Sequence, residues 1–175
     1  MMSLQRISDV LVTPAYVRIM AAYNAEMNHR IYAAVARLSD PDRRLPRGAF
    51  WGSIHGTLCH LLWGDRIWMS RFDGWEKPAI RLRDSATLID DFAELQRARE
   101  NADRTISRWA DGVTPQWLAE DLVWFSQSVD KELRQPRTLL VTHFFNHQTH
   151  HRGQVHAMIT AAGEHTGDTD LFLMV

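Results

Sequence analysis

Five of the nine histidines in this 175-residue chain lie in one stretch, from His143 to His156. Apolar residues recur at helical spacing through the same stretch, which predicts a helix from about Leu139 to Ala162. The apolar residues that set this spacing are Leu140, Phe144, Val155 and Met158. A helix that carries so many imidazoles predicts a metal site, because histidine nitrogens are common metal ligands.

Within that helix, His147 and His151 are predicted to face the same way. At ~100° per residue they fall roughly 20° to either side of the line through Leu140 and Met158, in mid-stripe where leucine is expected. Two imidazoles four residues apart on one helical face can bind one metal ion. The alternative is that each is a core histidine hydrogen-bonded to a neighbour. Burying two polar rings without partners costs a few kcal/mol, and a shared metal removes that cost, so the spacing favours a metal.

A third ligand must come from another helix, and the sequence offers His60 and His55. They lie on opposite shoulders of an apolar stripe, so periodicity does not decide between them. Gly56 and Gly64 flank His60 along the helix, where glycine is unfavourable. Either they leave room for a ligand or a close-packed neighbour, or the helix simply tolerates them. The stripe consists of Phe50, Ile54, Leu58, Leu61, Trp68 and Phe72.

Two further long helices are predicted. Thr13 and Pro14 form an N-cap and first helical position, so one helix begins there and ends before Asp40. Another runs from near Ser85 to Ala110, and its many charged residues are interpreted as a solvated face with helical ion pairs. The predicted inward faces are Tyr16, Met20, Tyr23, Met27, Ile31 and Val35 in the first, and Leu88, Phe92, Leu95, Ala102, Ile106 and Trp109 in the second.

Several polar residues lie on or beside these apolar faces. Asn24 and Asn28 are interpreted as helix-surface amides, with donation into a polar pocket as the alternative. Asp65 lies on the apolar seam, where an unpaired carboxylate is costly, so we expect it to pair with an arginine or to orient a ligand histidine. Cys59 points about 100° away from His60 and is interpreted as a buried structural thiol.

The chain between Gly112 and Pro136 is the least regular, and it predicts either a short hairpin or a partly helical crossover. The apolar segment Leu171–Val175 is expected to pack on the rest of the protein. The elements together predict an all-α fold, a four-helix bundle with a long crossover connection before the last helix. Sites in such bundles lie between facing helices.

Length and composition fit one domain over residues 1–175. Lys plus Arg number 20 and Asp plus Glu number 21, so the chain lacks the positive charge that nucleic acid or an anionic membrane requires. A single cysteine excludes an internal disulfide and fits a reducing compartment. The segment from Met1 to Pro14 contains Asp9, and no apolar run approaches membrane-spanning length. A cytoplasmic location is therefore expected.

Two runs of residues are similar to the DinB and YfiT-like superfamily of metal-dependent bacterial four-helix-bundle proteins. They are NHQTHHRGQ, residues 146–154, and LCHLLWGDRIW, residues 58–68. The superfamily pattern is also similar at Tyr23, Asn24, Met27 and Asn28. The similarity at residues 170–175 is weaker. The resemblance spans most of the chain.

In that superfamily a histidine followed by apolar residues on the second helix joins two histidines, four residues apart on the last long helix, to bind a divalent metal. Carried over by position, these ligands are His60, His147 and His151. The resemblance thus prefers His60 to His55, and it agrees with the angular argument for the other two. It also implies the bundle topology and a homodimer.

Three neutral imidazoles leave the charge of a metal ion uncompensated and at least one coordination position open, as in catalytic zinc sites. Zinc or nickel is expected, although imidazole also suits iron and copper. The open position can lower the pKa of bound water or deprotonate a thiol. Some relatives use a low-molecular-weight thiol, which implies a thiol-dependent S-transferase or isomerase acting on a small-molecule substrate. The alternatives are a metal-dependent hydrolase of a small ester or amide, and a stress-associated protein that binds metal or ligand without turnover.

No catalytic residue is assigned from the sequence, although Asp65, Glu26 and Tyr23 are candidates for a positioned acid or base. Metalloproteases place a glutamate directly after the first histidine of such a helical pair. Here that position is Gln148. The sequence therefore predicts no peptidase activity of this type.

Overall fold

The computed structural model describes residues 12–126 and 129–174, and their regular structure is mostly helical, which confirms the all-α prediction. Each long helix packs against two of the others, because α1 and α3 both contact α4 and α6. None of the described helices is long and apolar enough to cross a membrane. The elements are α1 (Pro14–Ala36), α2 (Asp40–Arg44), α3 (Ile54–Phe72), a 3-10 helix (Leu82–Thr87), α4 (Phe92–Gly112), α5 (Pro115–Leu118), β1 (Asp121–Ser126), β2 (Lys131–Pro136), α6 (Arg137–Ala161) and a second 3-10 helix (Leu171–Leu173).

Side-chain caps set where three of the long helices begin. Thr13 accepts a hydrogen bond from the backbone N–H of Tyr16, so the predicted start of α1 is confirmed. Ser53 caps α3 in the same way, and Phe50 therefore precedes the helix and is 79% exposed instead of lying on its inward stripe. Asp91 caps α4, so the prediction that this helix starts near Ser85 is wrong. Ser85 belongs to the separate 3-10 helix.

The connection between α4 and α6 contains both structures that the sequence left open. The short helix α5 is followed by an antiparallel hairpin in which Asp121 faces Pro136 across the β1–β2 pair. Leu122 and Trp124 pack on the core, whereas Val123 and Phe125 are exposed. This alternation follows from the two-residue period of a strand.

Two apolar clusters fill the interior, one toward each end of the helices. The first includes Ile31, Leu58, Leu95 and Ile159. The second includes Val17, Phe72, Trp109 and Phe144. Between them in each helix lie buried polar residues, which we call the polar layer: Asn24, Asn28, Asp65, Arg99, Asp103, Gln148 and Arg152.

Asp65 is at the centre of the polar layer, and it accepts hydrogen bonds from Arg99 and Gln148. The expectation that Asp65 pairs with an arginine is confirmed. Arg99 Nη2 also lies 2.8 Å from Asp103 Oδ1, so the charged residues predicted to form only a solvated face of α4 include a buried ion pair. Single-helix periodicity does not show that this pair is buried, because the residues that enclose it, Asp65 and Asn28, come from other helices.

Asn24 and Asn28 also belong to the polar layer, being only 1% and 3% exposed. Asn24 accepts from Arg152, and Asn28 Nδ2 donates to Asp103 Oδ1 at 2.9 Å. Their interpretation as surface amides is wrong, and the alternative of a polar pocket inside the bundle is right. Buried carboxylates and guanidiniums need hydrogen-bonding partners, so the face of α1 that carries Asn24 and Asn28 packs toward the polar layer.

The prediction that the end of the chain packs through its apolar residues is wrong within the described part. Phe172 and Leu173 are 74% and 60% exposed, and Val175 lies outside the described residues. Polar contacts hold the preceding segment instead. Tyr23 donates to the carbonyl of Thr169 at 2.7 Å, and Arg30 donates to that of Asp168 at 3.0 Å.

Candidate metal centre

Three histidines meet between α3 and α6. His60 comes from α3, and His147 and His151 lie one turn apart on α6. One ring nitrogen from each lies within 4.8 Å of the others, and the Nε2 atoms of His60 and His147 are 3.1 Å apart. The structure thus brings together the three residues named above, in an arrangement that could hold a metal ion. We call them the histidine cluster.

His55, the other candidate from α3, does not join the histidine cluster. Its ring is buried and its Nε2 lies 2.8 Å from the carbonyl oxygen of Ile89. The same carbonyl accepts a hydrogen bond from Cys59 Sγ at 3.3 Å. Cys59 is fully buried, and burial raises the pKa of its thiol, as expected of a structural cysteine.

The cluster lies at the edge of the buried face of α6, so the prediction that His147 occupies mid-stripe is wrong. The middle of that face is Gln148, which is fully buried between Phe144 and Arg152, while His147 is partly exposed. The angular argument was based on the apolar residues Leu140 and Met158 and did not include the polar residues Gln148 and Arg152. Both are held inward by the polar layer, so His147 lies at the edge of the buried face, against His60 and Gly64 of α3.

Two of the three rings are oriented through their second nitrogen. His60 Nδ1 lies 2.9 Å from Ser85 Oγ, and His151 Nδ1 donates to Gln154 Oε1 at 2.9 Å. Such partners fix ring orientation and leave Nε2 to face a ligand. Sequence reasoning missed Ser85, because its contact with His60 joins a 3-10 helix to α3 across 25 residues and has no periodic signal.

Two indoles and a glycine enclose the cluster. Trp51 stacks on His60 with ring centroids 4.0 Å apart, and Trp63 lies near-parallel at 6.2 Å. A Cβ atom at Gly64 would lie 2.8 Å from Cε1 of His147, and one at Gly56 would lie 2.6 Å from the carbonyl oxygen of Trp51. Both glycines therefore allow close packing, which decides between the two interpretations offered by the sequence.

The environment keeps the histidines neutral. Burial, together with its neighbour His147, lowers the pKa of His60 to about 3. Burial and the adjacent His151 likewise lower the pKa of His147 to about 3, and burial lowers that of His151. At neutral pH the three rings are therefore uncharged, which is the protonation state that binds a metal.

The three candidate acids or bases lie elsewhere. Asp65 is in the polar layer, Glu26 forms an ion pair with Arg30 at 2.7 Å, and the Tyr23 hydroxyl donates to a backbone carbonyl. Gln148, at the position of the protease glutamate, donates to Asp65 and faces away from the cluster. No carboxylate from residues 12–126 or 129–174 joins the three imidazoles.

Residues 12–174 match the model of the DinB family. The match covers nearly the whole chain, so the chain belongs to the DinB family. A search of curated proteins finds no match. Membership of this family and the histidine cluster are together compatible with a metal-binding protein.

Proposed function

We propose that this chain binds one divalent metal ion through His60, His147 and His151, and that it is a metal-dependent enzyme in which a small thiol attacks a small electrophilic substrate. The outcome of that reaction is S-transfer or isomerisation. The observation that carries the proposal is the convergence of three neutral imidazole nitrogens within 4.8 Å. Zinc and nickel are the ions we propose first.

The donor set fits such an ion. Two nitrogens that share a tetrahedral metal at roughly 2.0 Å lie about 3.3 Å apart, and the Nε2 atoms of His60 and His147 are separated by 3.1 Å. Without a cation, these two nitrogens face each other and at most one can donate a proton to the other. Space that a Cβ atom at Gly64 would fill is taken up by the His147 ring, which keeps it in the cluster.

A divalent ion held by three neutral imidazoles supplies an uncompensated positive charge, which lowers the pKa of a coordinated thiol or water. A thiol starts from a pKa of about 8.5 and water from about 15.7, so the thiol needs far less assistance. Among the described residues no carboxylate joins the cluster to act as a base for water. This difference favours the thiol reaction over hydrolysis.

The protein's own residues orient the site and shield part of it from water. Ser85 and Gln154 hold the rings of His60 and His151 through Nδ1. Trp51 covers one face of His60, so that ring is shielded from solvent. The site therefore combines fixed ligands with an apolar wall, which raises the strength of electrostatic interactions inside it.

The test is turnover by the zinc-loaded and nickel-loaded protein with glutathione, mycothiol or bacillithiol and a panel of common electrophiles. We expect one thiol to give metal-dependent turnover that the His147→Ala substitution removes. His150→Ala is the matched control, because His150 is an exposed histidine of the same helix. Absence of thiol-dependent turnover with all three thiols contradicts the proposal, and thiol-independent ester cleavage would replace it with the hydrolase.

We also propose that the protein acts as a cytoplasmic homodimer of a single bundle domain. All four long helices contribute to both apolar clusters, which supports one bundle. The resemblance implies the dimer. Light scattering after size exclusion checks it, and a monomeric mass across the micromolar range contradicts it.

A further inference from the structure

A cleft of about 1050 Å³ opens beside the histidine cluster. Trp51 and Trp63 form part of its wall, and the same two indoles lie parallel to the ring of His60. The cleft therefore shares a wall with the proposed metal centre. Its volume is large enough for a small organic molecule.

The charge of the cleft is of one sign. Arg71, Lys77, Arg81 and Arg83 line it, and no acidic side chain appears in its lining as far as the structure describes the chain. Arg83 has an exposed contact with Asp84 at 3.4 Å, which partly offsets its charge. The whole chain is close to neutral, so this local excess of cations is a property of the cleft and not of the protein surface in general.

Arg71 differs from the other three cations because it is half-buried. Its guanidinium lies 4.5 Å from the ring of Trp68 and 5.4 Å from that of Trp124. No carboxylate within residues 12–126 and 129–174 pairs with it. Burial lowers the pKa of Arg71, which is the cost of a charge without a partner. Two indoles thus hold a planar cation that lacks an anion.

The position of Arg71 connects it to the metal centre. The ring of His143 lies 5.1 Å from that of Trp68 and 6.0 Å from that of His147. Apart from Ser126, the remaining wall of the cleft is apolar, and it includes Phe125, which is 59% exposed. An exposed aromatic ring in a concave surface is typical of a ligand site.

We propose that this cleft is the substrate site of the metal centre, and that its substrate is a small organic anion in which a carboxylate is carried on an aromatic or alkyl body. Arg71 holds the carboxylate, because a guanidinium forms two parallel hydrogen bonds with that group. The apolar wall receives the body of the molecule. The inference rests on the proposed function, since it names the substrate class of the same site.

The experiment measures binding of 4-phenylbutyrate and its neutral analogue 4-phenylbutan-1-ol by calorimetry, in metal-free and in zinc-loaded protein. We expect the acid to bind about tenfold or more tightly than the alcohol in both forms. Arg71→Gln should reduce the affinity for the acid to that for the alcohol, and it should leave the affinity for the alcohol unchanged. Arg97→Gln, an exposed arginine on α4, is the matched control and should change neither.

Equal affinities of the two probes for the wild-type protein overturn the inference, and this comparison requires no variant to fold. Acid binding that needs zinc, is lost in His60→Ala and persists in Arg71→Gln also overturns it, because the carboxylate then binds the metal. Arg71→Lys keeps the charge but loses the paired hydrogen bonds. We expect its affinity for the acid to lie between those of the wild type and Arg71→Gln.

The two proposals can fail separately. A protein that takes up no metal but binds the acid through Arg71 contradicts the proposed metal enzyme and retains only the carboxylate-binding role of the cleft. A protein that binds one zinc ion and shows no preference for the acid does the reverse.

Discussion

His147 and Gln148 are neighbours on α6, and His60 and Asp65 lie little more than one turn apart on α3, yet these residues form two regions of opposite character. In the polar layer, carboxylates face guanidiniums, and the charges of its two aspartates and two arginines cancel. In the histidine cluster three groups of the same kind face one another, and neighbouring imidazoles add to burial in lowering the pKa of His60 and His147. The polar layer contains its counter-charges within the chain, whereas the cluster is an uncharged donor set that could hold a metal cation from outside.

This comparison assigns different roles to the two sets of polar groups. Removing one member of a balanced ionic network leaves an unpaired charge and destabilises the fold. Removing a histidine from a cluster of neutral rings removes a ligand but leaves no charge behind. Substitutions in the polar layer should therefore change stability, and substitutions in the cluster should change metal binding.

The largest effect is expected for Asp65→Ala. The substitution leaves Arg99 with only one carboxylate and removes the acceptor of Gln148. We expect a loss of about 3–5 kcal/mol in the free energy of unfolding. Urea denaturation of the metal-free protein measures it.

Asp111→Ala is the control for this substitution, because Asp111 is an exposed residue of α4. We expect its free energy of unfolding to lie within about 0.5 kcal/mol of the wild-type value. If Asp65→Ala were as mild as the control, the polar layer would not be the structural element that the comparison makes it.

Ser85→Ala comes next and acts on the cluster. It removes the partner of His60 Nδ1 while leaving all three imidazoles in place. We expect zinc affinity, measured by competition with a chelating dye, to fall about 10-fold to 100-fold. Ser107→Ala on α4 serves as the control, since its hydroxyl bonds only the backbone of its own helix. Unchanged affinity in Ser85→Ala would show that this hydrogen bond does not orient a ligand.

The pH dependence of the metal-free protein separates the two regions in another way. Folding holds the pKa of His60 and His147 at about 3, against about 6.5 in an unfolded chain. Between pH 3 and pH 6.5 the unfolded chain binds more protons than the folded protein. The free energy of unfolding is therefore unaffected by these two histidines above pH 6.5 and decreases as the pH falls from 6.5 toward 3. For the two residues we expect a loss on the order of 1 kcal/mol from pH 7 to pH 6.

The matched measurement is the same denaturation with the His60→Ala, His147→Ala double variant, in which this loss should shrink. Burial raises the pKa of Asp65 to about 6, so protonation of Asp65 increases the stability of the folded protein as the pH falls. This opposite effect is present in both proteins. The difference between the two proteins therefore reports the histidines alone. An identical pH dependence would mean that the folded cluster does not exclude protons.

The smallest effect is a contrast between two glycines. Gly153→Ala on α6 meets no atom within 4 Å and should raise stability by up to about 1 kcal/mol, because alanine is the better helix former. Gly64→Ala should lose this gain and weaken zinc binding, since the new Cβ displaces the His147 ring. Thermal unfolding with and without zinc tests both. A gain of stability in Gly64→Ala with full zinc affinity would contradict the tight contact.

Signals that are local in the sequence predicted much of the fold. The Thr13 and Pro14 cap gave the start of α1, and apolar periodicity gave the existence of four long helices. The start of α4 was missed because Leu88 continues the apolar pattern, although the 3-10 helix ends at Thr87 and Asp91 caps the start of α4. Periodicity records which residues are apolar, not where the backbone first becomes helical.

The convergence of the three histidines was predicted from the sequence, but their surroundings were not. His147 and His151 were paired correctly by their spacing, although the true centre of the buried face is Gln148. That rotation depends on Asp65 and Arg99, which lie on two other helices. Contacts of this kind join distant parts of the chain, and no single-helix pattern contains them.

The most direct test of the central claim is elemental analysis of untagged protein beside the His60→Ala, His147→Ala and His151→Ala variants, with His55→Ala as the buried-histidine control. We predict about one zinc or nickel ion per wild-type chain, retained in His55→Ala and lost in each of the other three while all remain folded. No metal in the wild-type protein after reloading with either ion, or equal metal in all five proteins, would contradict the account.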